Sequence, residues 1–405
     1  MTKLDKTLAP RKPGDLDLTF GQNGTVDVPV RAEIRALIED DGGLVYVQWV
    51  SGECWLSRAF SDGTADPDFG DGSVAKWRID STQSSRPVQL IRQPDGKILL
   101  IGATQNTPER ERTAITRFNP SGSPDLVFGT KILPFPLDPT EVPLFTRGHA
   151  GCLQNDGKVL LASGYQVGNG DSKIFEAGRL NRLNSDGSPD RGFGLLGHIE
   201  VRISGQNTVI RSIAVLSDNR IIVFGHISRG VYARLSLACY LPSGQLDQSF
   251  GKNGYWEGDE GSLLGDMTIH ADKIVCTGLG EGPNSQTMVV YRLLANGEPD
   301  PIFNDGAPLW IDIPDLTDVP SGIEVQADQK ILIGGAANRG PTPYMFWLRI
   351  NDNGQLDPDF GNEGMVIYAE GLVRDLVVQC SRNRMIVAGD RVTPAGFKQL
   401  IGVHI

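Results

Sequence analysis

Seven aspartates recur in one signature, Gly-x-x-Asp-x-x-Phe, and their type and spacing could serve chemistry. Repeated carboxylates are the hard oxygen ligands that calcium prefers. Two copies, Asp66-Pro67-Asp68 and Asp357-Pro358-Asp359, carry a second aspartate and faintly resemble acidic calcium loops. The spacing does not match an EF-hand loop, however, and most copies lack the second acid. We therefore predict no metal and no cofactor at these aspartates, which are Asp17, Asp66, Asp125, Asp190, Asp247, Asp300 and Asp357.

A structural role suits the signature better. The aspartate can cap a turn by accepting hydrogen bonds from nearby backbone N–H groups. The glycine permits a positive φ angle, and the phenylalanine can bury its ring between neighbouring repeats. Those rings belong to Phe20, Phe69, Phe128, Phe193, Phe250, Phe303 and Phe360.

A basic residue accompanies the signature. Five residues before the glycine an arginine stands in five copies, and we expect it to pair with the aspartate of its own or a neighbouring repeat. Cys239 takes this place in one copy, and His404 takes it by the register of the repeat. The arginines are Arg58, Arg117, Arg182, Arg292 and Arg349.

Other catalytic patterns are scarce in the sequence. None of the five histidines forms a metal-binding spacing, and the chain has no nucleophile elbow and no phosphate-binding loop. The five cysteines are scattered, so we expect buried, reduced thiols. Carboxylates are plentiful, which leaves open a hydrolase that uses an acidic pair.

The elements that position these residues follow from the repeat. The signature phenylalanines lie about 57 residues apart, a period that indicates a repeat architecture. Each repeat has four short strand candidates. Most second strands open with Lys or Arg, continue with four apolar residues and end at Gly, as in Lys158–Gly164. A short, fully apolar run is what a strand packed on both faces needs. Four-stranded units repeated around an axis form a β-propeller. In the second repeat the predicted strands are Arg86–Arg92, Lys97–Ala103, Arg112–Phe118 and Thr130–Leu137.

The two ends of the chain complement each other. Gln399–Ile405 looks like a third strand with no signature after it, and Gly24–Val30 would supply the fourth strand of the same unit. Such pairing would close the ring and leave no exposed sheet edge. The sequence therefore predicts an all-β fold: a seven-bladed β-propeller of four-stranded blades over residues 14–405, preceded by a polar tail, 1–13.

The composite motif also carries a family resemblance. The signature, followed by glycine in six copies, is coupled to the segments Pro94–Leu100 (PDGKILL) and Asn155–Leu161 (NDGKVLL). Together they resemble the delta-60 repeat family of bacterial proteins over nearly all of residues 14–405. The resemblance implies tandem repeats of about this length, and it implies no particular activity and no catalytic residues.

Charge and hydropathy limit the classes of partner. The net charge of −11 argues against nucleic acid and against anionic membrane surfaces. The polar N-terminus lacks the apolar region of a secretory signal, and no run of 18 apolar residues could span a membrane. We therefore expect a cytoplasmic protein, or one exported by a signal-independent route.

A functional site is expected where the repeat varies. The turns between first and second strands and the signature turns are regular, so they define a constant end. The connections between second and third strands, and between one repeat and the next, differ in length and chemistry, and binding residues concentrate on such loops. These connections include Ala103–Arg112, Tyr165–Glu176, Leu279–Gln286 and Ala336–Pro343, and the longest is Leu133–Gly148. The candidate ligand-binding residues on this variable end are Arg147, His149, His226, Arg229, Trp256, Asp259, Glu260, Trp310, Tyr344 and Glu370, with Trp77 and Asp315 beside them.

Three functions are compatible with these features. Aromatic side chains beside carboxylates suit a sugar or a peptide, so the leading hypothesis is a non-enzymatic binding module for a protein or glycan partner. A hydrolase or lyase with acidic residues at the channel mouth is the alternative, and carboxyls of raised pKa there would favour it. The third hypothesis is a structural subunit of a larger assembly. The tryptophans Trp77, Trp256 and Trp310 fit packing between strands as well as they fit ligand binding.

Overall fold

The fold is all-β, as the sequence predicts. The computed structural model describes residues 12–28, 32–105, 111–134, 141–169, 174–229, 232–282, 285–313, 317–339, 342–379, 384–394 and 396–404. These residues form β-strands and two short 3-10 turns, Ile203–Gly205 and Asn304–Gly306, and they contain no α-helix. Within the described ranges, no helical segment has the length and apolar character needed to cross a membrane.

Twenty of the strands form five antiparallel sheets of four strands each, and the strands follow one another in chain order. Sheet A contains β2 (Glu33–Asp40), β3 (Gly43–Val50), β4 (Glu53–Ala59) and β5 (Val74–Trp77). Sheet B contains β6 (Ser84–Arg92), β7 (Ile98–Gln105), β8 (Glu111–Phe118) and β9 (Thr130–Ile132). Sheet C contains β10 (Glu141–Leu153), β11 (Val159–Asn169), β12 (Ile174–Leu183) and β13 (His198–Val201). Sheet D contains β14 (Asn207–Val215), β15 (Ile221–Arg229), β16 (Tyr232–Tyr240) and β17 (Tyr255–Glu257). Sheet E contains β18 (Leu263–His270), β19 (Lys273–Gly282), β20 (Ser285–Leu293) and β21 (Leu309–Ile311).

The remaining strands form a larger sheet F. Its members are β22 (Thr317–Val325), β23 (Ile331–Arg339), β24 (Thr342–Ile350), β25 (Met365–Gln379), β26 (Arg384–Thr393), β27 (Gly396–His404) and β1 (Thr25–Asp27). Strand β25 is shared: residues 365–370 pair with β24, and residues 371–379 pair with β26. The N-terminal strand β1 pairs with the C-terminal strand β27, with Val26 opposite Ile401. The two chain ends that the sequence predicted as neighbours are thus hydrogen-bonded.

The second strand of each sheet is buried on both faces. In β7, Ile98 and Leu100 pack in one cluster with β3 of sheet A, while Leu99 and Ile101 pack in another with β11 of sheet C. All four side chains are at most 1% exposed. Full burial of one such side chain contributes about 2 kcal/mol through the hydrophobic effect. Burial on both faces explains why these strands carry continuous apolar runs rather than alternating ones.

The predicted loops between second and third strands are too long. Strands β11 and β12 pair as far as Gly168 opposite Ile174, so most of the predicted loop Tyr165–Glu176 is a β-ladder. Strand β10 similarly covers the end of the predicted connection Leu133–Gly148. The ladder between β11 and β12 extends past Gly164 because strand pairing uses backbone groups and needs no side chain. The predicted loops Ala103–Arg112, Leu279–Gln286 and Ala336–Pro343 are shortened in the same way.

The signature aspartates use their two carboxylate oxygens differently. In each copy Oδ1 accepts the backbone N–H two residues later, which caps the turn; from Val127 to Asp125 this bond is 3.0 Å. In five copies Oδ2 accepts Nε of the predicted arginine, so the predicted pairing is present. These bonds are Arg58–Asp66 (2.6 Å), Arg117–Asp125 (2.9 Å), Arg182–Asp190 (2.8 Å), Arg292–Asp300 (2.8 Å) and Arg349–Asp357 (2.7 Å).

The two copies without that arginine use the base that opens the second strand instead. Arg220 contacts Asp247 at 3.2 Å, and Arg384 contacts Asp17 at 3.0 Å. Lysines at the same position add a second cation to other copies, as Lys97 does to Asp125 at 2.9 Å. The sequence analysis noted that second strands open with Lys or Arg but did not predict this contact.

Signature turns of neighbouring repeats touch each other. An added Cβ on Gly122, whose φ is +82°, would meet the ring of Phe69 from the preceding repeat at 2.9 Å. The amide of Gly70 donates to the Ser121 carbonyl at 2.7 Å. Equivalent bonds join Gly21 to Asp62, Gly194 to Ser243, Gly251 to Asn296, Asn304 to Asn353, and Gly361 to Pro13. The signature phenylalanines are 0–2% exposed, so the signature is the joint between repeats.

Candidate functional site

A channel cavity of about 630 Å³ lies between the first strands of the sheets. Its wall is formed by β2, β6, β10, β14, β18, β22 and the second part of β25. Each of these strands has a register shift, as at Arg35, which lies between Ile34 and Ala36. Such bulges bend a strand and re-aim side chains.

Three guanidinium groups line the channel at the level of the bulges: Arg35, Arg211 and Arg374. Arg374 donates from Nε to Asp390 Oδ2 at 2.5 Å. Arg35 pairs with Glu33 and lies over the ring of Trp49, 5.4 Å from its centroid. Arg35 and Arg374 are therefore each neutralised by a carboxylate outside the channel lining.

Three carboxyl groups line the same channel: Asp266, Glu324 and Asp375. Asp375 accepts backbone N–H groups from Leu376 at 2.9 Å and, across to sheet A, from Leu37 at 2.8 Å. Asp266 accepts the Met267 N–H at 2.8 Å. None of the three has an ion-pair partner among the described side chains. The negative charge that these carboxyls carry when they ionise is therefore not balanced by an ion pair with a described side chain.

The surroundings of these carboxyls disfavour ionisation. Burial raises the pKa of Asp266 to about 6. Burial, and then the charge of Asp266, raise the pKa of Asp375 to about 7. Burial, followed by the charges of Asp266 and Asp375, raises the pKa of Glu324 to about 8. Water reaches all three side chains inside the channel, yet protein surrounds them, so a charge there is poorly solvated.

The predicted residue His149 also lines the channel but belongs to a buried polar network. Its Nδ1 bonds to the Thr113 hydroxyl at 2.7 Å, and its Nε2 lies 3.2 Å from Glu111. Thr113 in turn bonds to Ser163, and Arg86 binds Glu111. Burial lowers the pKa of His149. Burial opposes ionisation of Glu111, but bonds from His149 and Arg86 outweigh it and lower its pKa to about 2.

The network resembles a hydroxyl–imidazole–carboxylate arrangement, which activates a nucleophile in hydrolases. Thr113, however, is 3% exposed and its hydroxyl is hydrogen-bonded within the wall. A substrate cannot reach it without opening the interface between sheets B and C. The network therefore stabilises that interface.

The tryptophans proposed as ligand contacts pack between strands. Trp256 in β17 meets the Tyr291 ring edge-on, with centroids 4.9 Å apart, and Trp310 in β21 packs in the same cluster. Trp77 in β5 meets Phe118 at 5.9 Å. The observed contacts of these three tryptophans are therefore packing contacts between strands.

The remaining candidates do not form one constellation in the described residues. Tyr344 and Glu370 are cross-strand neighbours, with their side-chain oxygens 3.5 Å apart. Asp259 accepts the Tyr291 hydroxyl at 3.0 Å, and exposed Glu260 pairs with Arg234 at 2.9 Å.

Other candidates are placed only in part. His226 lies in β15 opposite Val209 and Leu235. The backbones of Arg147 and Arg229 lie in β10 and β15, but their side chains are outside the described set, and Asp315 lies outside the described residues.

Further features bear on metal and thiol chemistry. In the described part of the chain, no three His, Cys, Asp or Glu side chains come together as a metal site. Cys54, Cys239 and Cys276 are buried free thiols, Cys152 is half-buried, and Cys380 lies outside the described residues.

Sequence patterns did not identify the channel carboxyls of Asp266, Glu324 and Asp375 as candidates. Asp266 stands inside a mostly apolar strand, Leu263–His270 (LLGDMTIH), whereas the strands of Glu324 and Asp375 each contain a further acid. A lone acid at the middle of such a strand was the available signal, because an inward-facing charge in a packed strand needs a reason.

Comparison with known proteins supports the fold. A family described as "Domain of unknown function (DUF5122) beta-propeller" matches residues 93–128, 216–250 and 326–360. Each matched segment begins just after a first strand and ends at a signature phenylalanine. A search of curated proteins found no match.

Several solved structures are similar in fold at low identity. A sialidase from Trypanosoma rangeli is 9% identical with a TM-score of 0.45, covering 84% of this chain and 57% of its own. A protein of unknown function from Dyadobacter fermentans is 11% identical with a TM-score of 0.45, covering 79% and 93%. A prolyl endopeptidase is 12% identical with a TM-score of 0.48, covering 91% and 46%. The chain thus spans little more than half the length of the sialidase.

Proposed function

Because three segments of this chain match the DUF5122 β-propeller family model, the delta-60 type of repeat, we propose that residues 14–405 form one seven-bladed propeller with a binding site in its channel. Sheets A to E supply five four-stranded blades. Sheet F supplies two, because β25 changes partner between Glu370 and Gly371 and serves as the last strand of one blade and the first of the next.

Closure of the ring is supported by contacts between the chain ends. Strand β1 pairs with β27, which gives the last blade its fourth strand. The Gly361 amide donates to the Pro13 carbonyl at 2.8 Å, continuing the joint between signature turns. Asp375 binds the Leu37 amide, and a single hydrophobic cluster joins sheet A to β26 and β27. These contacts favour a ring without free edges.

The proposed function is a non-enzymatic binding module for a protein or glycan partner. The observation that carries it is the channel: each proposed blade contributes one strand to its wall, and its 630 Å³ volume falls in the range of ligand sites. The bulge residues Arg211, Ser321 and Arg374 are exposed within it, so solvent and ligands can enter. The connections beside this mouth do not repeat, which suits recognition of one partner.

The test is ligand capture with a blocked channel. A glycan array and mass spectrometry of co-purified proteins should identify ligands of the unmodified protein. Ser321→Trp, which fills the mouth, should abolish binding, whereas Gln355→Trp on an exposed signature turn should leave it intact. Binding that survives Ser321→Trp, or the absence of any ligand in both assays, would contradict the proposal.

A second candidate function is a hydrolase or lyase in the same channel. The observation that favours it is the pair Glu324 and Asp375, whose raised pKa values allow one carboxyl to hold a proton while another is ionised. Screening against chromogenic glycosides should then detect turnover that Glu324→Gln removes. Turnover unchanged by that substitution would place any activity elsewhere.

A further inference from the structure

We propose that the channel binds a linear alkylammonium cation, either a free polyamine or a lysine side chain, between the carboxyl groups of Asp266, Glu324 and Asp375. This inference rests on the proposed function, since it names the ligand class of the same site. The inference adds to the proposed function the charge of the ligand, its linear shape and its depth in the channel.

Charge balance selects a cation. Two of the three guanidinium groups in the lining, Arg35 and Arg374, have carboxylate partners of their own. In the described structure Asp375 accepts backbone N–H groups, and Asp266 accepts the Met267 N–H and lies beside the Ser212 hydroxyl. Neither carboxyl forms an ion pair with a described side chain. An unpaired buried charge is costly, so such carboxyls either hold protons or accept a cation. A cationic ligand supplies the missing partner.

The depths of the carboxyls select a linear ligand. Asp266 lies opposite Thr277 and Asp375 opposite Ala388, each three residues into the apolar run of the second strand. Glu324 lies opposite Leu332, only one residue into that run. Glu324 is therefore two residues further toward the constant end, or about 7 Å along a strand. A chain with two ammonium groups can place one beside Asp266 and Asp375 and the other beside Glu324. A single ammonium group at the end of a long alkyl chain can pass Asp266 and Asp375 and reach Glu324.

The opposite wall suits the alkyl part. At the depth of Glu324, sheets A to D contribute apolar side chains to the cavity, including Ile38, Ile91 and Ala214. At the depth of Asp266 and Asp375 they contribute Ala36 but also the polar Gln89 and Ser212. Methylene groups gain about 0.8 kcal/mol each when they leave water for such a surface. An apolar surface opposite Glu324 fits an alkylammonium better than a hydrated metal ion, which prefers oxygen ligands all round.

Protonation gives the binding a pH dependence. The other charged or titratable groups of the channel lining are Arg35, His149, Cys152, Arg211 and Arg374. Burial raises the pKa of Cys152 to about 12, so this thiol stays neutral over the same pH range. The guanidiniums stay protonated, and burial keeps His149 neutral. The carboxyls alone therefore change charge between pH 6 and 9, because burial raises their pKa values into this range. A cation that binds their ionised forms should bind more tightly as the pH rises, and should release protons below pH 8.

The experiment is calorimetric titration of the full-length protein with spermidine and with an N-acetylated trilysine peptide. Measurement in two buffers of different ionisation enthalpy counts the protons released. Binding of spermidine alone identifies a polyamine, and binding of the peptide identifies a lysine side chain. Glu324→Gln should weaken binding about tenfold, the cost of one charge-assisted hydrogen bond. The matched control Glu298→Gln removes the same charge from an exposed signature turn and should change affinity less than twofold.

Asp266→Asn is a second variant in case one substitution perturbs folding, and circular dichroism checks both. Equal affinity in Glu324→Gln and Glu298→Gln, or no heat with either probe, would overturn the inference. A neutral or anionic ligand that binds and is lost in Ser321→Trp would overturn it too, while leaving the proposed function intact. If no ligand depends on the channel, both proposals fail.

Discussion

Arg292 and Asp300 form an ion pair that is almost fully withdrawn from water, with their side chains 2% and 1% exposed. The Arg292 guanidinium also lies over the Phe303 ring, 4.9 Å from its centroid, and donates to Asp352 of the next signature turn at 2.6 Å. The Arg292 side chain thus contacts three recurring parts of the repeat: the turn-capping aspartate, the buried ring and the signature turn of the neighbouring repeat. The regularity of the signature is explained by this joint and needs no seven-fold metal chemistry.

Arg292→Met should destabilise the protein severely. It leaves Asp300 with Lys273 at 3.4 Å as its remaining cation, and removing one partner of a buried pair costs about 3 kcal/mol. Urea unfolding measures the free energy of unfolding. Arg202→Met, at the exposed pair with Glu200, is the matched control and should cost less than about 1 kcal/mol. Equal losses in the two variants would show that the buried joint is not the source of stability.

One of the two copies without the signature arginine, that of Asp247, should depend on the cation Arg220. Asp247 pairs with Arg220, whereas Asp125 has both Lys97 and Arg117. Arg220→Ala should therefore lower the free energy of unfolding about 2 kcal/mol more than Lys97→Ala does. The comparison uses the same urea titration. A larger loss of unfolding free energy in Lys97→Ala than in Arg220→Ala would contradict the idea that Lys97 and Arg117 both stabilise the ionised Asp125.

Much of the fold could be predicted because its information is local and repeated. The Arg117–Asp125 pair follows from a fixed spacing, and the family match confirms the resemblance to delta-60 repeats. Strand ends were less predictable: β11 continues to Asn169 beyond the glycine taken as its end. Ladder hydrogen bonds involve only the backbone, so side-chain type marks their limits poorly.

The channel was harder to predict than the joints. Asp266, Glu324 and Asp375 are more than 50 residues apart in sequence in each case, and only the arrangement of sheets brings their strands to one cavity. Short-range patterns cannot identify which strand faces the axis. The predicted Tyr344 and Glu370 are neighbours because they pair across two strands of one hairpin-like unit, which a local pattern can capture.

Loss of the N-terminal strand should open the ring. A chain that starts at residue 29 lacks β1 and leaves the edge of β27 unpaired, and exposed edges associate with other chains. We expect concentration-dependent oligomers and a lower Tm, measured by light scattering after size exclusion and by thermal unfolding. A chain that starts at residue 12 keeps Pro13, Gly14 and β1 and is the control. A monomer of unchanged Tm after the longer truncation would argue against closure.

Glu324 should make stability depend on pH in a defined direction. Its pKa is raised to about 8 in the folded protein, so the folded state holds a proton that the unfolded state releases above about pH 4.5. Its contribution is full below that pH and is lost as the pH rises toward 8. Glu324→Gln removes this loss, so the variant should gain about 2 kcal/mol relative to the unmodified protein between pH 5 and 8. The free-energy cost of burying the glutamine amide of Glu324→Gln is the same at pH 5 and at pH 8. It therefore cancels when the stability difference between the two proteins is compared at these two pH values. Urea unfolding at both values measures the change, and Glu298→Gln should show none. A variant whose relative stability stays level or falls with pH would mean that Glu324 is ionised in the free channel, and that the channel's negative charge is balanced before any ligand arrives.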